Sequence, residues 1–283
     1  MGMVYAICSL GFAGVNDVVF RRYGQKPRPV GFLLAFIGVV WASFFFALGL
    51  LKNNIEVNVE TLLIGSVAGI MSALANILLV EGMKKTGASI AATIYRLNIV
   101  FVVLLAFLFL HESINLLKIS ALSMAIIAIL LFSMPRWNGK SNEFALKFIL
   151  ILLLASFLRA CMGISYKVAS SCGANDEMFL AVNGIWWIIA GCIYTLARER
   201  GIKTSRSTIK YGLWSGILIC GIVMFLKLAV NCMDASVAIS ISQFSFLVTA
   251  PLAAFIMNER ISLKMGLGMS LAALCIILFA VAK

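Results

Sequence analysis

Charged residues are scarce in this chain, and their scarcity excludes a soluble globular protein. Asp, Glu, Lys and Arg make up 12% of the 283 residues, and hydrophobic residues make up 63%. A soluble domain has about a quarter of its residues charged and about half apolar. The apolar runs reach the roughly 20 residues that a membrane-spanning helix needs, whereas an outer-membrane barrel has alternating runs of about 10. We therefore predict an all-α polytopic membrane protein.

The residue patterns of common catalytic and metal sites are also missing. The single histidine, His111, excludes a His-Glu-x-x-His motif, and no nucleotide-binding motif is present. The seven cysteines form no Cys-x-x-Cys pair, and nearly all lie in apolar runs, where a free cysteine is a small hydrophobic residue. We therefore expect no enzymatic activity, no metal, no cofactor and no direct use of ATP.

Positive charge is concentrated between the apolar segments. The net charge is +12, and sixteen of the 23 Lys and Arg residues lie in loops that follow odd-numbered segments. Three lie on the opposite side, namely Lys52, Lys118 and Lys283. This bias is typical of a topology signal rather than of nucleic-acid binding. The positive-inside rule puts the basic loops in the cytoplasm and both termini outside.

Ten apolar segments are long enough to be membrane spans. The first lacks a basic start, so we expect a retained span rather than a secretion signal. The predicted spans are residues 4–20, 30–51, 61–82, 88–110, 114–133, 145–169, 177–196, 210–231, 236–257 and 262–282.

One of these spans recurs later in the chain. Ser89–Glu112 returns as Ser236–Glu259, 147 residues further on and without a gap. The same offset superposes Gly65 on Gly212 and Gly69 on Gly216. We predict two copies of one unit, residues 1–135 and 136–283, with five spans each. Because five is odd, the copies enter the membrane in opposite senses, which is the inverted-repeat plan of secondary transporters.

Both copies close the repeated helix with an acidic residue before a short turn and another helix. These motifs read FLHESI at 109–114 and IMNERI at 256–261. The second copy has Pro251 in mid-helix, where the first has Leu104, and the turn at 85–89 reads KTGAS. With these features the chain resembles the drug/metabolite transporter superfamily in its EamA-like ten-helix branch.

This resemblance implies an inner-membrane carrier for small metabolites, often an exporter of amino acids or related solutes. It also implies a central cavity lined by spans 1, 3, 4, 6, 8 and 9. Family members usually have both termini in the cytoplasm, which is the reverse of the orientation that the charge bias indicates.

Two arginines inside the predicted spans are the leading candidates for substrate binding. Placing an ionisable group this deep in a membrane span costs about 2.5–3.5 kcal/mol. We therefore expect Arg96 and Arg159 each to have a structural or functional role that offsets this cost. Either could bind a carboxylate or phosphate through charge-assisted hydrogen bonds, or could tie neighbouring helices together. The repeat places polar residues of span 9 opposite those around Arg96, with interhelical hydrogen bonding as the alternative role. The predicted substrate-binding residues are Arg96, Tyr95, Asn98, Arg159, Gln243, Ser242, Ser245, Asn76 and Trp186.

Two acids near the apolar zone, Asp17 and Glu81, are candidates for proton coupling or for binding a substrate amine. The structural alternatives are a pair between Asp17 and Arg21, one turn away, and a pair between Glu81 and Lys227. The repeat offset aligns Lys227 with Val80, which is next to Glu81, and this alignment suggests the second pair.

Four further predictions concern structural roles. We expect Lys167 to anchor span 6 at the membrane interface. We expect Glu112 and Glu259 to cap the helices that follow them. The glycine pairs of spans 3 and 8 should pack helices within the monomer.

Together these features predict a secondary transporter that moves a small zwitterionic or anionic metabolite by alternating access across the cytoplasmic membrane, with proton coupling as one mode. An amino acid fits best, and Arg96→Ala should abolish its binding. The alternative is a multidrug or organic-cation exporter, which would need a deep acid, whereas the deepest ionisable groups are arginines. We expect a small-molecule substrate, the lipid bilayer and no nucleic acid as partners, with a monomer favoured and a homodimer as the alternative.

Overall fold

The computed structural model describes residues 1–86, 88–133, 143–199, 205–257 and 263–281, and these residues contain helices but no strand. Seven of the helices are long and apolar enough to cross a membrane. Three shorter apolar helices accompany them, at Ile94–Leu110, Leu116–Leu131 and Leu263–Phe279. The prediction of an all-α polytopic membrane protein is confirmed.

Each predicted span corresponds to a helix or to two helices in sequence. Spans 1 to 3 are Gly2–Gly24, Val30–Leu51 and Val59–Thr86. Span 4 divides into span 4a, Ala88–Arg96, and span 4b, Asn98–Leu110. Spans 5 to 8 are Leu116–Ser133, Glu143–Ser171, Asp176–Tyr194 with a π-helical turn Thr195–Glu199, and Arg206–Cys232. Span 9 divides into span 9a, Ala235–Ser242, a 3₁₀ turn Gln243–Ser245, and span 9b, Phe246–Met257, and span 10 is Leu263–Val281.

The helix contacts come in matched sets. Span 2 packs on span 7, and span 5 packs on span 10. Span 1 packs on span 8, and its counterpart contact joins span 3 to span 6. Span 2 also packs on span 8, and span 3 on span 7. If each span in these six pairs is replaced by the span five places away in the chain, the same six pairs result.

Glycines bring the central helices close together. A Cβ atom at Gly184 of span 7 would lie 2.6 Å from the backbone nitrogen of Ala42 in span 2, and one at Gly38 would lie 2.7 Å from the Gly184 carbonyl oxygen. Small residues allow such close approach in a membrane, where packing supplies much of the association energy. Spans 2 and 7 consequently pack backbone against backbone at the centre.

The glycine pairs of spans 3 and 8 lie in the helix contacts next to this central one. Gly69 lies under Trp186 of span 7, and Gly65 faces Val182 of the same span. Gly212 and Gly216 of span 8 face span 2, where Gly216 lies under Val40. The prediction that these glycines pack helices within one chain is confirmed.

Spans 4 and 9 are interrupted at matching positions. Span 4 departs from helical geometry at Leu97, with φ −67° and ψ 1°, and span 9 departs at Phe244, with φ −82° and ψ 22°. These two residues are 147 positions apart, which is the repeat offset. Around Leu97 the backbone bonds tighten to three-residue spacing, from Leu97 to Ile94 and from Val100 to Leu97. The polar residues of each span lie beside these interruptions.

Replacing Gly184 with alanine should destabilise the fold, because the added methyl group would overlap the backbone of span 2. Overpacking of this kind costs about 1–3 kcal/mol. Thermal unfolding of the protein in detergent should show a lower midpoint for Gly184→Ala. The matched control is Gly11→Ala, since nothing lies within 4 Å of a Cβ at Gly11. Equal midpoints for the two variants would contradict the close contact.

Candidate functional site

An ion pair joins span 1 to the interruption in span 4. The Arg96 guanidinium donates from Nη2 to Oδ2 of Asp17 at 3.0 Å and lies 3.3 Å from the Ser245 hydroxyl. Ser245 and Thr249 of span 9 also donate to Oδ2, at 2.8 and 3.1 Å. One carboxylate oxygen therefore holds three spans together.

A glycine in span 1 allows span 9 to approach this carboxylate. Gly14 lies one helical turn before Asp17, and a Cβ atom there would lie 2.5 Å from Cβ of Val248. The Thr249 hydroxyl oxygen also lies 3.2 Å from the Gly14 carbonyl oxygen. Spans 1 and 9 thus touch at Gly14, which brings the hydroxyl groups of span 9 to the next turn of span 1.

The ion pair compensates the charge of Arg96 and leaves part of Asp17 open. The Arg96 side chain is 17% exposed and also packs over the Phe246 ring at 5.2 Å. Asp17 is 38% exposed, and all of its contacts are made through Oδ2, which leaves Oδ1 without a protein partner. The alternative of a pair between Asp17 and Arg21 is wrong, because Arg96 is the cation that binds the Asp17 carboxylate.

The second intramembrane arginine, Arg159, is positioned differently. Span 6 is held against span 4 by Ser156, whose hydroxyl donates to the Tyr95 carbonyl oxygen at 3.4 Å, and by the edge contact of Phe157 with Phe101 at 5.6 Å. One turn further along, Arg159 makes no ion pair with any described residue, and its guanidinium group lies near the Tyr95 phenol. Its charge acts on the phenol groups of Tyr95 and Tyr166. Arg159 is therefore an uncompensated cation about halfway along its span.

Several buried polar groups of these same spans lack hydrogen-bond partners. The hydroxyls of Tyr95 and Tyr166 have none, and neither has the amide of Asn98, which is fully buried at the start of span 4b. The Ser240 hydroxyl of span 9a also lacks a hydrogen-bond partner among the described residues. More than about 90% of buried polar groups in proteins are paired, so an unpaired set calls for an explanation. A ligand would supply the missing partners.

The other predicted substrate-binding residues make contacts inside the protein. Ser242 donates to the Ile239 carbonyl oxygen at 2.7 Å, and Gln243 donates to Ser242 at 3.4 Å. Asn76 donates to the Ser72 carbonyl oxygen at 2.8 Å, one turn back in span 3. Trp186 packs over Gly69 where spans 3 and 7 meet. The structure brings Tyr95, Arg96, Asp17 and Ser245 together, and it places Asn76 and Trp186 at helix contacts.

The expected pair between Glu81 and Lys227 does not form. Lys227 is 2% exposed, and its ammonium group lies 2.9 Å from Asp176 and 2.7 Å from the Tyr166 carbonyl oxygen. Glu81 instead accepts a hydrogen bond from the Tyr194 hydroxyl at 2.6 Å. A lysine buried in a membrane protein needs a carboxylate at short range, and Asp176 at the start of span 7 provides one.

Two residues with predicted end-of-helix roles make contacts that the sequence did not predict. Glu112 caps span 9a instead of the helix that follows it, because its carboxylate accepts the N–H groups of Ala235 and Ser236 at 2.6 and 3.1 Å. Lys167, which the sequence predicts as an interfacial anchor, also caps the end of span 8 by donating to the carbonyl oxygens of Val230 and Met233, at 2.5 and 3.2 Å. Glu259, the counterpart of Glu112, lies outside the described residues.

Two residues of the site were not identified from the sequence. Tyr166 lies seven residues after Arg159, which is two helical turns and hence the same face of span 6. Thr249 lies four residues after Ser245, again on the same face. Helical spacing from the predicted polar residues could have found both, since each lies in a long apolar run.

The fold and these contacts define a multi-pass membrane protein with a polar centre between two interrupted helices. The sequence model of the EamA-like transporter family matches residues 1–134. The match covers slightly less than half of the chain, and the family lies within the drug/metabolite transporter superfamily. The resemblance noted in the sequence is thereby confirmed.

Comparison with curated proteins gives no match. Among solved structures, 28 chains match. One of them is a crystal structure of a protein with 10% sequence identity and a TM-score of 0.81, and the alignment covers 100% of this chain and 97% of the other. At this identity the likeness shows a shared fold alone.

Replacing Glu112 with alanine should lower stability, because two N–H groups at the start of span 9a would lose their acceptor. Loss of such a cap costs about 0.5–2 kcal/mol. The measurement is thermal unfolding in detergent, with Glu56→Ala as the control. Glu56 is exposed, and its carboxylate has no side-chain contact to any described residue. If both variants unfold at the wild-type temperature, Glu112 does not act as a cap.

Proposed function

We propose that this protein is a secondary transporter for a small metabolite that carries a carboxylate and an ammonium group, of which an amino acid is the best example. The observation that supports this most strongly is the uncompensated Arg159 beside unpaired polar groups of span 4. A cation at this depth is unfavourable without a counter-ion. A substrate carboxylate would supply that charge through hydrogen bonds from the guanidinium group and from the phenol of Tyr95.

Asp17 would bind the opposite end of the substrate. Its Oδ1 oxygen is open, and the side chain is more than one third exposed. The Tyr95 phenol lies close enough to both Arg159 and Asp17 for each charge to act on it. Opposite charges near one polar side chain suit a zwitterion better than a simple anion.

Arg96 has a different role in this proposal. Because Asp17 already compensates its charge, Arg96 would hold spans 1, 4 and 9 together rather than bind the substrate carboxylate. Arg96→Ala should therefore lower stability and reduce binding indirectly.

The transport cycle that we propose is alternating access between two inverted five-helix units, residues 1–135 and 136–283. Support comes from the matched helix contacts and from helix interruptions 147 residues apart. Interrupted helices at corresponding positions of two repeats are characteristic of substrate sites in secondary transporters. We place the protein in the cytoplasmic membrane as a carrier without enzymatic activity, and we favour a monomer.

We further propose Asp17 as the proton-coupling group. Protonation of its carboxylate would remove the counter-charge of Arg96 and weaken the contacts that join three spans. Glu81 is the second candidate, and the short hydrogen bond from Tyr194 holds it at the contact between spans 3 and 7.

The alternative, an organic-cation exporter, has less support. It would need an uncompensated deep acid, whereas the carboxylate of Asp17 is engaged by Arg96 and two hydroxyl groups. Tight binding of quaternary amines with no binding of amino acids would favour that alternative.

Arg159→Gln should abolish the preference for carboxylates. The experiment measures thermal stabilisation by amino acids, by their decarboxylated amines and by their desamino acids. Removal of a charged hydrogen-bond partner should weaken binding of the two carboxylate-bearing groups by at least about tenfold. The matched control is Arg198→Gln, which removes an exposed arginine from the π-helical turn at the end of span 7. Unchanged affinity in a folded Arg159→Gln protein would reject the proposed site.

Asp17→Asn should weaken binding of amines and amino acids and spare the desamino acids, because the open carboxylate oxygen would be lost. In proteoliposomes the same variant should lose the acceleration of uptake by an imposed pH gradient, whereas Glu81→Gln should retain it. Substrate counterflow, which needs no gradient, checks that each variant still transports. Gradient-driven uptake by Asp17→Asn at the wild-type rate would exclude Asp17 as the coupling group.

A further inference from the structure

We propose that a pocket at the start of span 8 binds the phosphate headgroup of an anionic lipid. The pocket has a volume of about 420 Å³ and is lined by Arg206, Ser207, Lys210, Tyr211 and Trp214. It lies at the end of the molecule that carries Arg28 and the start of span 2, and it is separate from the polar centre around Asp17 and Arg159. The inference rests only on the protein spanning a membrane.

Every polar side chain in this lining can donate a hydrogen bond, and none is a carboxylate. Arg206, Ser207, Lys210 and Tyr211 make no side-chain hydrogen bond or ion pair with any described residue. Glu199, a carboxylate at the same end of the molecule, accepts the N–H groups of Val30 and Gly31 through Oε1, at 2.6 and 3.1 Å, and is not part of the pocket lining. A group of free donors that includes two cations is complementary to a phosphate.

A third cation supports the same side of the pocket. Arg28 stacks on the ring of Tyr211 at 4.9 Å and on the ring of Tyr23 at 5.2 Å. Its guanidinium donates to the Tyr23 carbonyl oxygen at 2.7 Å, so its contacts leave the positive charge uncompensated. Arg28 thus adds positive potential behind the Tyr211 wall.

The orientation of span 8 points this pocket toward lipid. Gly212 and Gly216 face span 2 on one side of the helix, where added Cβ atoms would meet Phe36 and Val40. Arg206, Lys210 and Trp214 follow one another at four-residue spacing on the other side. Trp214 is 65% exposed, and Ile217 beyond it is 50% exposed. The cations therefore lie above an aromatic and an aliphatic side chain on a surface that faces the bilayer.

This order of residues matches the order of groups in a lipid. The phosphate would meet the cations at the end of the helix, the glycerol region would lie at Trp214, and an acyl chain would follow Ile217. Tryptophan is enriched at this depth of a membrane, and basic pockets between helices bind anionic headgroups. A soluble phosphate compound would use the cations but would gain nothing from the apolar side chains.

Native mass spectrometry of the full-length protein tests the proposal with phosphatidylglycerol and phosphatidylcholine as probes. The double variant Arg206→Gln with Lys210→Gln should weaken phosphatidylglycerol binding by about tenfold or more. Each basic residue near a membrane surface contributes to the binding of an anionic lipid, and this variant removes two of them. Phosphatidylcholine binding should change little. The control pair, Lys26→Gln with Arg198→Gln, removes the same charge from exposed positions at the same end of the molecule and should leave the phosphatidylglycerol affinity unchanged.

Two further measurements complete the test. Trp214→Ala should weaken binding of both lipids, because it removes the wall that contacts the glycerol region. Inorganic phosphate at equal concentration should fail to displace phosphatidylglycerol. Equal losses in the two charge-removal pairs would show a diffuse surface attraction and overturn the site, and displacement by phosphate would overturn the assignment to lipid.

Discussion

A charge inside a membrane must be compensated, and this constraint organises the polar centre of the protein. Water cannot solvate a guanidinium or a carboxylate in the hydrocarbon, so each must find a partner within the fold or on a ligand. Lys227 is compensated by Asp176, and Arg96 is compensated by Asp17. Arg159 has no such partner among the described residues. The two intramembrane arginines therefore differ in whether a carboxylate of the fold pairs with them.

The interrupted helices follow from the same constraint. A continuous helix satisfies its own backbone and offers a ligand only side chains. A departure at Leu97 or Phe244 frees backbone groups and redirects the polar residues on either side. Hydroxyl groups lie against carbonyl oxygens beside these departures: Ser156 of span 6 donates to that of Tyr95, and Thr249, one turn further along span 9, lies 3.0 Å from that of Ser245.

Side-chain contacts join distant parts of the chain at both ends of the molecule and at its polar centre. At one end, Glu112 joins the first half of the chain to span 9a, and Lys118 pairs with Asp234 at 2.6 Å beside it. At the other end, Glu199 accepts the N–H groups of Val30 and Gly31 at the start of span 2. Between the two ends, the Asp17 and Arg96 pair joins spans 1, 4 and 9 through side chains that are partly exposed.

The sequence by itself determined the fold class, the number and limits of the spans, and the importance of the stretch from Tyr95 to Asn98. These follow from local physics, because apolar length specifies a membrane helix and a polar interruption within it must have a cause. It also identified both intramembrane arginines. It could not decide which of them is compensated, since that depends on span 1 approaching span 9 at Gly14.

Only the tertiary structure decided the pairings. Glu112 caps a helix more than 120 residues away, and Lys227 pairs with Asp176 instead of Glu81, although local spacing and the repeat indicated other partners. Electrostatic contacts are short in range, whereas helix packing brings together residues that are distant in the chain. For that reason the residue types of the site could be predicted from the sequence, and their partners could not.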